Sequence, residues 1–596
     1  MSLSAADKTS INTLTSTTLR DQVTVSVGWE NYMGTAHQND AIVINVNSSK
    51  ALIKILHEIT KLNEVKNADE RIIVRAAAAS SYSATNCVNA DVILRLTGTE
   101  FHHIAKPENF IVTAGASVQI GDLCRILNDE HHLTLSTASL IPDVTIAGLA
   151  AAGGHGTGQD QPSFAGLVRG MTLCLETGEI VHIDQSHKHF ATIAGANNGL
   201  FGIVLDMDIE CIPEMKLQCI MEKRSPIEFM EDVERGLFQN NEYVSVMYIP
   251  TYLPDEMTNR KINNVIVYRW KPVPCETNNT NYHPVFSSLI QDIQGKLGKA
   301  VNIPEILRTF PKLIPLYMRY LTRPLTVGET DKIAVGPWHG IWHNRTDFPA
   351  DLDEICGMIP VKDQARRTKQ GEEIVTAMKR AMTLLGEHAK KGEYPITYAM
   401  YFRYLQGTNG GLSITGHQDD HHVCAIDLTT NERIPGFAAY KKEMQDFFLS
   451  KEMQGKLHWG KNAPMDVDYH KMYGDRWLET KAALEDWHHE FNIDTKKSML
   501  LNPLFSEVLD YPVPSLVDTD VPAKVQTDKE KRKLVANANK LLCMIDDNSS
   551  ECQCARKEIA AAQQKLGRNR LCIFSRSSAK ETGQEQGASC FPCSIL

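Results

Sequence analysis

The chain has 596 residues, of which 42% are hydrophobic and 22% charged, the balance of a globular protein large enough for two or three domains. Its formal net charge of −10 gives no reason to expect a nucleic-acid partner. The first residues contain no apolar run after a basic stretch, and no segment has the length and apolarity of a transmembrane helix. We therefore expect neither a secretory signal nor a membrane span, and we interpret the 14 irregularly spaced cysteines as reduced thiols.

The first third of the chain alternates apolar strands with amphipathic helices. Residues 41–46, AIVINV, predict a strand, and either Ser48 or Ser49 suits the N-cap of the helix that follows. Three more apolar segments and a second helix lead to Pro213. This alternation predicts an α+β domain over residues 1–213.

Beyond this domain the pattern changes three times. Residues 214–440 mix strands such as VSVMYIP with helices such as EEIVTAMKRAMTLLGEH, which predicts one sheet covered by helices. Residues 441–513 are helical and rich in aromatic side chains. Within residues 514–574, two amphipathic segments predict a helical hairpin whose second helix stops at Gly567, and residues 575–596 predict a flexible polar tail.

The segment TIAGLAAAGGHGTG, residues 145–158, carries the clearest chemical signal. Glycines and small residues let backbone N–H groups approach an anionic group closely. A tight turn without a ligand explains the same composition. No GxGxxG stands between a strand and a helix, so the sequence does not predict a Rossmann dinucleotide site.

Several further segments follow in an order that resembles the FAD-linked oxidases of the vanillyl-alcohol-oxidase superfamily, on the branch of aldonolactone and alditol oxidases. His458–Trp459–Gly460–Lys461 is similar to the HWxK signature of that branch. The likeness spans residues of about 28 to 505 and is weaker in the middle. The other segments that carry it are GWENYMG at 28–34, RAAAASSYS at 75–83, VTAGASVQIGDLCRIL at 112–127, GANNGLFGIVLDMDIE at 195–210 and FNIDTKKSMLLNP at 491–503.

The resemblance implies an α+β fold with a two-subdomain, PCMH-type FAD-binding domain built from residues before about 213 and after about 440. Residues 214–440 would form an α+β cap over the flavin. Gly156, Thr157 and Gly158 would cradle the pyrophosphate, and Gly199 to Ile203 would lie against the flavin or adenine; simple turn packing is the alternative for the glycines. The full set of expected FAD contacts is Ala77, Ala78, Ala79, Ser80, Ser81, Thr145, Gly148, His155, Gly156, Thr157, Gly158, Gly199 and Ile203.

The first loop departs from the family pattern. Many relatives have GSGHS there and bond its His covalently to the flavin, whereas this chain aligns Ala77 to Ser81 and places Ser80 at the His position. Serine cannot form the histidyl bond, so the resemblance implies noncovalent FAD. The Gly-to-Ala changes imply either a shifted loop or weaker FAD binding, because Ala is unfavourable at positive φ.

The cap departs from the pattern as well. Relatives that oxidise polyols or lactones have Glu-x-Arg on a strand facing the flavin, where this chain has Tyr401–Phe402–Arg403. A second family Glu, expected shortly before Pro360, has no match within residues 355–360. The alignment therefore predicts a site without these two carboxylates and a substrate other than a standard sugar lactone.

Roles for the remaining residues follow from the chemistry of hydride removal from a carbinol carbon. Lys461 would stabilise the negative charge on the N1–C2=O side of the flavin. Arg403 would orient a substrate hydroxyl or carboxylate, with a structural ion pair as the alternative. His458 would position Lys461 or the flavin, with packing as the alternative, and Tyr401 would supply a phenol in place of the missing Glu.

Two other clusters contain residue types that bind metal ions. His417, Asp419, Asp420, His421 and His422 contain suitable ligands, but a solvated hairpin tip is the favoured interpretation. Cys552 and Cys554 lack a second ligand pair at zinc spacing. No metal is predicted.

The C-terminus predicts a lipid anchor. Cys593 stands fourth from the end before an aliphatic Ile595 and a terminal Leu596, which matches a geranylgeranyl-type prenylation box, and Cys590 is a candidate for palmitoylation. A prenyltransferase is then a partner, and the expected location is the cytoplasmic face of a eukaryotic membrane. The chain is accordingly eukaryotic or a bacterial effector modified by its host.

Two functional hypotheses follow. The first is a membrane-tethered FAD-dependent oxidoreductase that oxidises a small-molecule alcohol or lactone and passes electrons to oxygen or another acceptor. The second is a catalytically inactive scaffold that keeps the fold, and the altered loop and missing carboxylates favour it. The preserved GGHGTG and HWGK segments favour the enzyme.

Overall fold

The computed structural model describes residues 3–31, 36–78, 86–280, 302–326, 331–343, 352–362, 369–408, 410–416, 422–461, 464, 466–515, 527–545 and 550–566. It confirms the predicted α+β fold class. None of the described helices has both the length and the apolar character that a bilayer-spanning segment requires.

The N-terminal part, up to Pro213, contains two four-stranded sheets and a short two-stranded one. Its strands are β1 (Val23–Glu30), β2 (His37–Val46), β3 (Val74–Ala76), β4 (Val92–Leu96), β5 (Ile111–Gly115), β6 (Leu133–Thr134), β7 (Val168–Cys174), β8 (Ile180–Asp184), β9 (Ile203–Glu210) and β10 (Ile212–Pro213). Its helices are α1 (Ala5–Thr13), α2 (Ser49–Glu64), α3 (Ile120–His131), α4 (Ile146–Ala151) and α5 (Phe190–Ala194).

The two four-stranded sheets define two subdomains. The first has the order β1-β2-β4-β3, with parallel pairing of β2 and β3 to β4, and the second is the antiparallel β5-β9-β7-β8. Helix α2 covers the first sheet, and its start is set by Ser48, whose hydroxyl accepts from the N–H of Ala51 at 3.2 Å. The predicted strand at 41–46 and the helix after it are therefore confirmed.

The middle of the chain forms one eight-stranded sheet of order β14-β11-β13-β12-β16-β17-β15-β18, which we call the cap sheet. Its strands are β11 (Lys216–Arg224), β12 (Tyr243–Tyr248), β13 (Val265–Val273), β14 (Asp331–Pro337), β15 (Leu352–Val361), β16 (Ala399–Gln406), β17 (His422–Asn431) and β18 (Lys456–Leu457). The accompanying helices are α6 (Pro226–Glu234), α7 (Ile303–Thr309), α8 (Ile314–Thr326), α9 (Trp338–Trp342), α10 (Glu372–Lys390) and α11 (Phe437–Phe448).

Alternation along the central strands separates the two faces of the cap sheet. Phe402 packs against Phe229 of α6, with ring centroids 5.4 Å apart, so this face of β16 is covered by helices. Tyr401 and Arg403 point to the opposite face, which looks toward the N-terminal subdomains.

The chain then returns to the N-terminal part. Helices α12 (Tyr469–Tyr473), α13 (Arg476–Glu490) and α14 (Pro503–Val508) follow the cap sheet. Arg71 ties this returning segment to the first subdomain, since its guanidinium donates to the carbonyls of Ser498 at 3.1 Å and Leu501 at 3.0 Å and to the Ser506 hydroxyl at 2.9 Å. The core is consequently shared between residues far apart in the sequence.

Two last helices, α15 (Asp528–Ile545) and α16 (Ser550–Lys565), correspond to the predicted hairpin helices. They pack against α7, α8 and the 3-10 turn Pro311–Leu313 of the middle region. Their buried apolar side chains belong to the main core: Leu534, Val535, Ala538, Leu541, Leu542, Cys552, Ala555 and Ile559.

Candidate functional site

A cavity of about 320 Å³ lies between the two N-terminal subdomains and the exposed face of the cap sheet. This volume falls in the range of small-molecule and cofactor sites. One end is lined by small and apolar residues of the N-terminal part, and the other by charged residues of the cap sheet.

Small residues give ligands close access to backbone at the N-terminal end of the cavity. Ala77 and Ala78 line it after β3, and Ala147 and Gly148 line it from α4. Thr145 caps α4, because its hydroxyl accepts from the N–H of Gly148 at 3.4 Å. The predicted contacts at these positions lie together along one wall.

The turn before β9 forms another part of the same wall. Gly199 and Gly202 have φ values of +71° and +147°, which β-carbon-bearing residues rarely adopt. Ile203 begins β9 and lines the cavity with them. The predicted placement of Gly199 and Ile203 at a ligand cavity agrees with the structure.

Arg75 holds four chain segments around this end. Its guanidinium is buried and donates to the carbonyl oxygens of Cys87 at 2.9 Å, Leu500 at 2.8 Å and Asn198. Burial lowers the pKa of Arg75 to about 10. Sequence reasoning missed this residue, since an Arg at the end of a strand is ordinarily interpreted as exposed.

Four charged side chains meet at the other end of the cavity. Arg403 of β16 is paired with Asp427 of β17, and Lys461 lies 3.0 Å from Glu354 of β15 and 4.0 Å from Asp427. All four line the cavity and are buried or partly buried. We call Glu354, Arg403, Asp427 and Lys461 the charge cluster; its formal charges balance.

The register of three neighbouring strands produces this cluster. Asp427 is paired across the sheet with Tyr401 on one side and Cys356 on the other. The two family positions hold no carboxylate, but the structure brings carboxylates from other positions to the site. Position 401 has no carboxylate, but Asp427 supplies one from β17, directly opposite Tyr401. Glu354 of β15, one residue before Ile355, supplies the second.

Electrostatics within the cluster favour the charged forms of Asp427, Arg403 and Lys461. Burial acts to raise the pKa of Asp427, but Arg403 and Lys461 outweigh it and hold that pKa well below its ordinary value. Burial acts to lower the pKa of Lys461, but Glu354 and Asp427 outweigh it and raise that pKa. For Glu354, burial dominates and raises the pKa, with Lys461 opposing it.

Two imidazoles, His155 and His458, border the charge cluster, with ring centroids 5.4 Å apart. Nδ1 of His155 lies 2.9 Å from the carbonyl oxygen of Gly156, and Nδ1 of His458 accepts from the N–H of Gly460 at 2.9 Å. Burial lowers the pKa of His155 to about 4 and that of His458 well below its ordinary value. Both rings are thus neutral near pH 7.

Aromatic packing positions the HWGK segment. Trp459 stacks on Tyr469 and Tyr473, with centroids 5.2 Å and 5.8 Å away, and donates from its indole N–H to the carbonyl of Leu412 at 2.9 Å. His458 and Lys461, on either side of this fixed ring, reach the cavity. Tyr401 lines it as well, and burial raises the pKa of its phenol, which retains its proton.

Gly156, Thr157 and Gly158 lie elsewhere, which corrects their assignment to the pyrophosphate. The hydroxyl of Thr157 donates to the carbonyl of Val244, and the N–H of Gly158 donates to the carbonyl of Tyr404 at 2.6 Å. A side chain at Gly156 would collide with the carbonyl of Ala138. Thr157 and Gly158 thus join the N-terminal part to the cap sheet, and none of the three residues lines the cavity.

Some predicted positions lie outside the described residues. They are Ala79, Ser80, Ser81, Cys590, Cys593, His417, Asp419, Asp420 and His421. Of the residues in the candidate metal cluster, only His422 is described. Its ring stacks on that of Tyr404, with ring centroids 5.0 Å apart. Among the described ranges no group of three or more His, Cys, Asp or Glu side chains has the geometry to hold a metal ion.

Comparison with known proteins indicates the class of the N-terminal domain. Residues 41–184 match the FAD binding domain family. The whole chain is similar in fold to a solvent-stable cholesterol oxidase, with a TM-score of 0.63 at 14% identity over 82% of this chain and 98% of that one. It is also similar to chitooligosaccharide oxidase, with a TM-score of 0.53 at 10% identity over 85% of this chain and 100% of that one.

Sequence relatives agree with this class. L-gulonolactone oxidase of Bos taurus is 28% identical over 140 residues, which are 23% of this chain and 31% of the relative. That of Scyliorhinus torazame is 23% identical over 221 residues, 36% of this chain and 50% of the relative. The matches thus span half or less of these relatives. The domain match at residues 41–184 and the shared fold agree with the resemblance to FAD-linked oxidases.

The cavity fits FAD. Its small-residue wall with two glycines at positive φ admits a flat ring system against backbone, and residues of both N-terminal subdomains line it. Its polar end lies under the cap sheet, where the buried guanidinium nitrogen Nε of Arg403 makes no hydrogen bond to any residue that the structure describes. That orphaned donor points to a ligand with oxygen acceptors at the cap-sheet end.

Proposed function

We propose that the protein is an FAD-dependent oxidoreductase that removes a hydride from the CH–OH carbon of a small neutral alcohol or lactone. The observation that carries the proposal is the charge cluster at the cap-sheet end of the cavity. Its formal charges already balance, so a charged substrate would bring an uncompensated charge into a buried site. A neutral hydroxyl compound would not.

FAD, when bound, supplies the hydride acceptor. Lys461 would place its ammonium near the ring atoms that become negative, and Glu354 holds that ammonium in position at 3.0 Å. Arg403, fixed by Asp427, would donate its unused Nε–H to the substrate oxygen. The neutral phenol of Tyr401 would add a second donor to a substrate hydroxyl.

We propose that FAD is held without a covalent bond, because Ser80 stands where relatives have the bonded His. Purified chain that is precipitated with acid should release its yellow colour into the supernatant. Colour that stays in the pellet contradicts noncovalent binding. A colourless protein that added FAD does not restore contradicts the enzyme and leaves the scaffold hypothesis.

The substrate class is tested with the FAD-loaded chain. L-gulono-1,4-lactone, the alditol xylitol and cholesterol represent the compounds named in the relatives and structural neighbours. At least one neutral hydroxyl compound should bleach the flavin absorbance without oxygen, whereas the carboxylate L-gulonate should not. If peroxide forms after air is admitted, oxygen is the electron acceptor. If no peroxide forms and an added acceptor dye is reduced instead, the protein is a dehydrogenase. No bleaching by any of them counts against the proposal.

We also propose that the protein is tethered to a eukaryotic membrane by prenylation of Cys593, with Cys590 as a second lipid site. The support is the sequence motif and the polar tail before it. In eukaryotic cells the wild-type chain should sediment with membranes, and a Cys593→Ser variant should be released. A variant that stays on membranes, in cells where a prenyltransferase inhibitor also has no effect, contradicts prenylation.

A further inference from the structure

We infer that His155 accepts the proton of the substrate hydroxyl through its Nε2 atom. This inference rests on the proposed oxidation of a CH–OH carbon and names the base for it. As the C–H bond breaks with its electron pair leaving to the cofactor, the O–H bond breaks and its proton passes to His155 Nε2. The carbon and oxygen then share a second bond, and the product is the carbonyl compound.

Backbone contacts fix the two imidazoles in complementary tautomers. A carbonyl oxygen only accepts, so the contact of 2.9 Å to Gly156 places a proton on Nδ1 of His155 and leaves a lone pair on Nε2. An amide N–H only donates, so the contact of 2.9 Å from Gly460 places the lone pair of His458 on Nδ1 and its proton on Nε2. His155 is the acceptor of the pair and His458 the donor.

The other groups at this end are poor bases or are engaged. Arg403 and Lys461 carry protons, and the phenol of Tyr401 keeps its own. Asp427 is paired with Arg403 through its Oδ2 atom and lies 4.0 Å from Lys461, so protonation of Asp427 would leave these cations without their counter-charge. Glu354 is the one serious competitor, and it accepts from Lys461 at 3.0 Å.

The residues around His155 favour its neutral form before the proton transfer and stabilise its protonated form afterwards. Burial keeps the ring neutral before reaction, and the charges of Arg403 and Lys461 add to this effect. Asp427 acts in the opposite direction and attracts the imidazolium that forms. A neutral acceptor with a nearby carboxylate is the arrangement that general-base catalysis requires.

The kinetic test uses FAD-loaded chain and whichever compound of the panel bleaches the wild-type flavin. His155→Asn keeps an amide N–H that can donate to Gly156 but removes the base. With FAD saturating, we expect flavin reduction to slow about 100-fold or more. Added imidazole should restore the rate in proportion to its free-base concentration, which a merely structural defect would not allow.

Glu354→Gln separates the two candidate bases. Two outcomes overturn the assignment to His155. In the first, the His155→Asn variant reduces flavin at the wild-type rate. In the second, imidazole does not rescue His155→Asn, whereas added formate rescues Glu354→Gln. The proposed function survives either outcome, because the wild type still turns over. No reduction of wild-type flavin would instead refute the function itself.

A second readout needs no substrate. In protein labelled with ¹⁵N-histidine, the ring signals that vanish in His155→Asn belong to His155. We expect a neutral ring with its proton on Nδ1 at pH 7. A proton on Nε2, or a doubly protonated ring, would contradict the inference independently of any activity.

Discussion

The cap-sheet end of the cavity combines two cations and two carboxylates whose ion pairs cross three strands. A buried pair of this kind contributes little net stability compared with apolar residues, but removing one partner leaves an uncompensated charge. The arrangement is therefore better explained by ligand positioning than by folding. It keeps Arg403 and Lys461 protonated and oriented with the side chains already ordered.

Asp427→Asn tests this at the level of one residue. The change leaves the Arg403 guanidinium buried without its partner, and we expect the free energy of unfolding to fall by about 3 kcal/mol or more. Urea unfolding of the variant and wild type measures it. The double variant Arg403→Met with Asp427→Leu should recover most of that loss while abolishing flavin reduction. Equal stability of Asp427→Asn and wild type would show that the pair is not strongly coupled.

Motif comparison located half of the charge cluster and missed the rest for a physical reason. Arg403 and Lys461 stand at motif positions, so their spacing along the chain was sufficient. Asp427 reaches the site because β17 lies beside β16 with Tyr401 opposite it. Such a neighbour depends on strand register, which short sequence windows do not determine.

At the scale of elements, the sequence pattern predicted those helices whose position depends on neighbouring residues in the chain. The capped helix α2 and the amphipathic α10 follow from spacing and N-cap chemistry. The function of Gly156 to Gly158 did not follow, because glycine fits a phosphate cradle and a close domain contact equally well. Only the contact with Tyr404 and Ala138 distinguishes the two.

A buried carboxylate links the second N-terminal sheet to the returning segment. Glu176, which follows β7, accepts from the N–H of Met499 at 2.8 Å and lies 3.7 Å from His488. Burial raises the pKa of Glu176 from 4.5 to about 7. The folded state therefore holds this proton more tightly than the unfolded chain. The contribution of this group to the free energy of unfolding is fully present below about pH 4.5, and it is lost as the pH rises through about 7.

Glu176→Gln removes this titration and keeps an acceptor for Met499. We expect the variant to be more stable than wild type at pH 8, by up to about 3 kcal/mol, and close to wild type at pH 5. Thermal unfolding at the two pH values provides the comparison. An equal difference at both values would mean that the carboxyl does not change its charge in this range.

At the scale of the whole molecule, three separate stretches of sequence build one cavity. The small-residue wall comes from the N-terminal part. Within the charge cluster, Glu354, Arg403 and Asp427 come from the cap sheet, and Lys461 comes from the turn after β18. The hairpin α15–α16 makes no contribution to the cavity lining. Its described apolar side chains instead extend the core of the middle region.

This packing makes the hairpin a structural part of the middle region, so its core should matter for stability. Leu541 of α15 is completely buried, and Leu541→Ala should lower the free energy of unfolding by about 2–5 kcal/mol. Lys540→Ala, at the exposed neighbouring position, is the matched control and should stay within about 0.5 kcal/mol of wild type. FAD affinity should be unchanged in both variants, because neither residue borders the cavity. A Leu541→Ala chain that unfolds like its control would mean that the hairpin is docked too weakly to share the core.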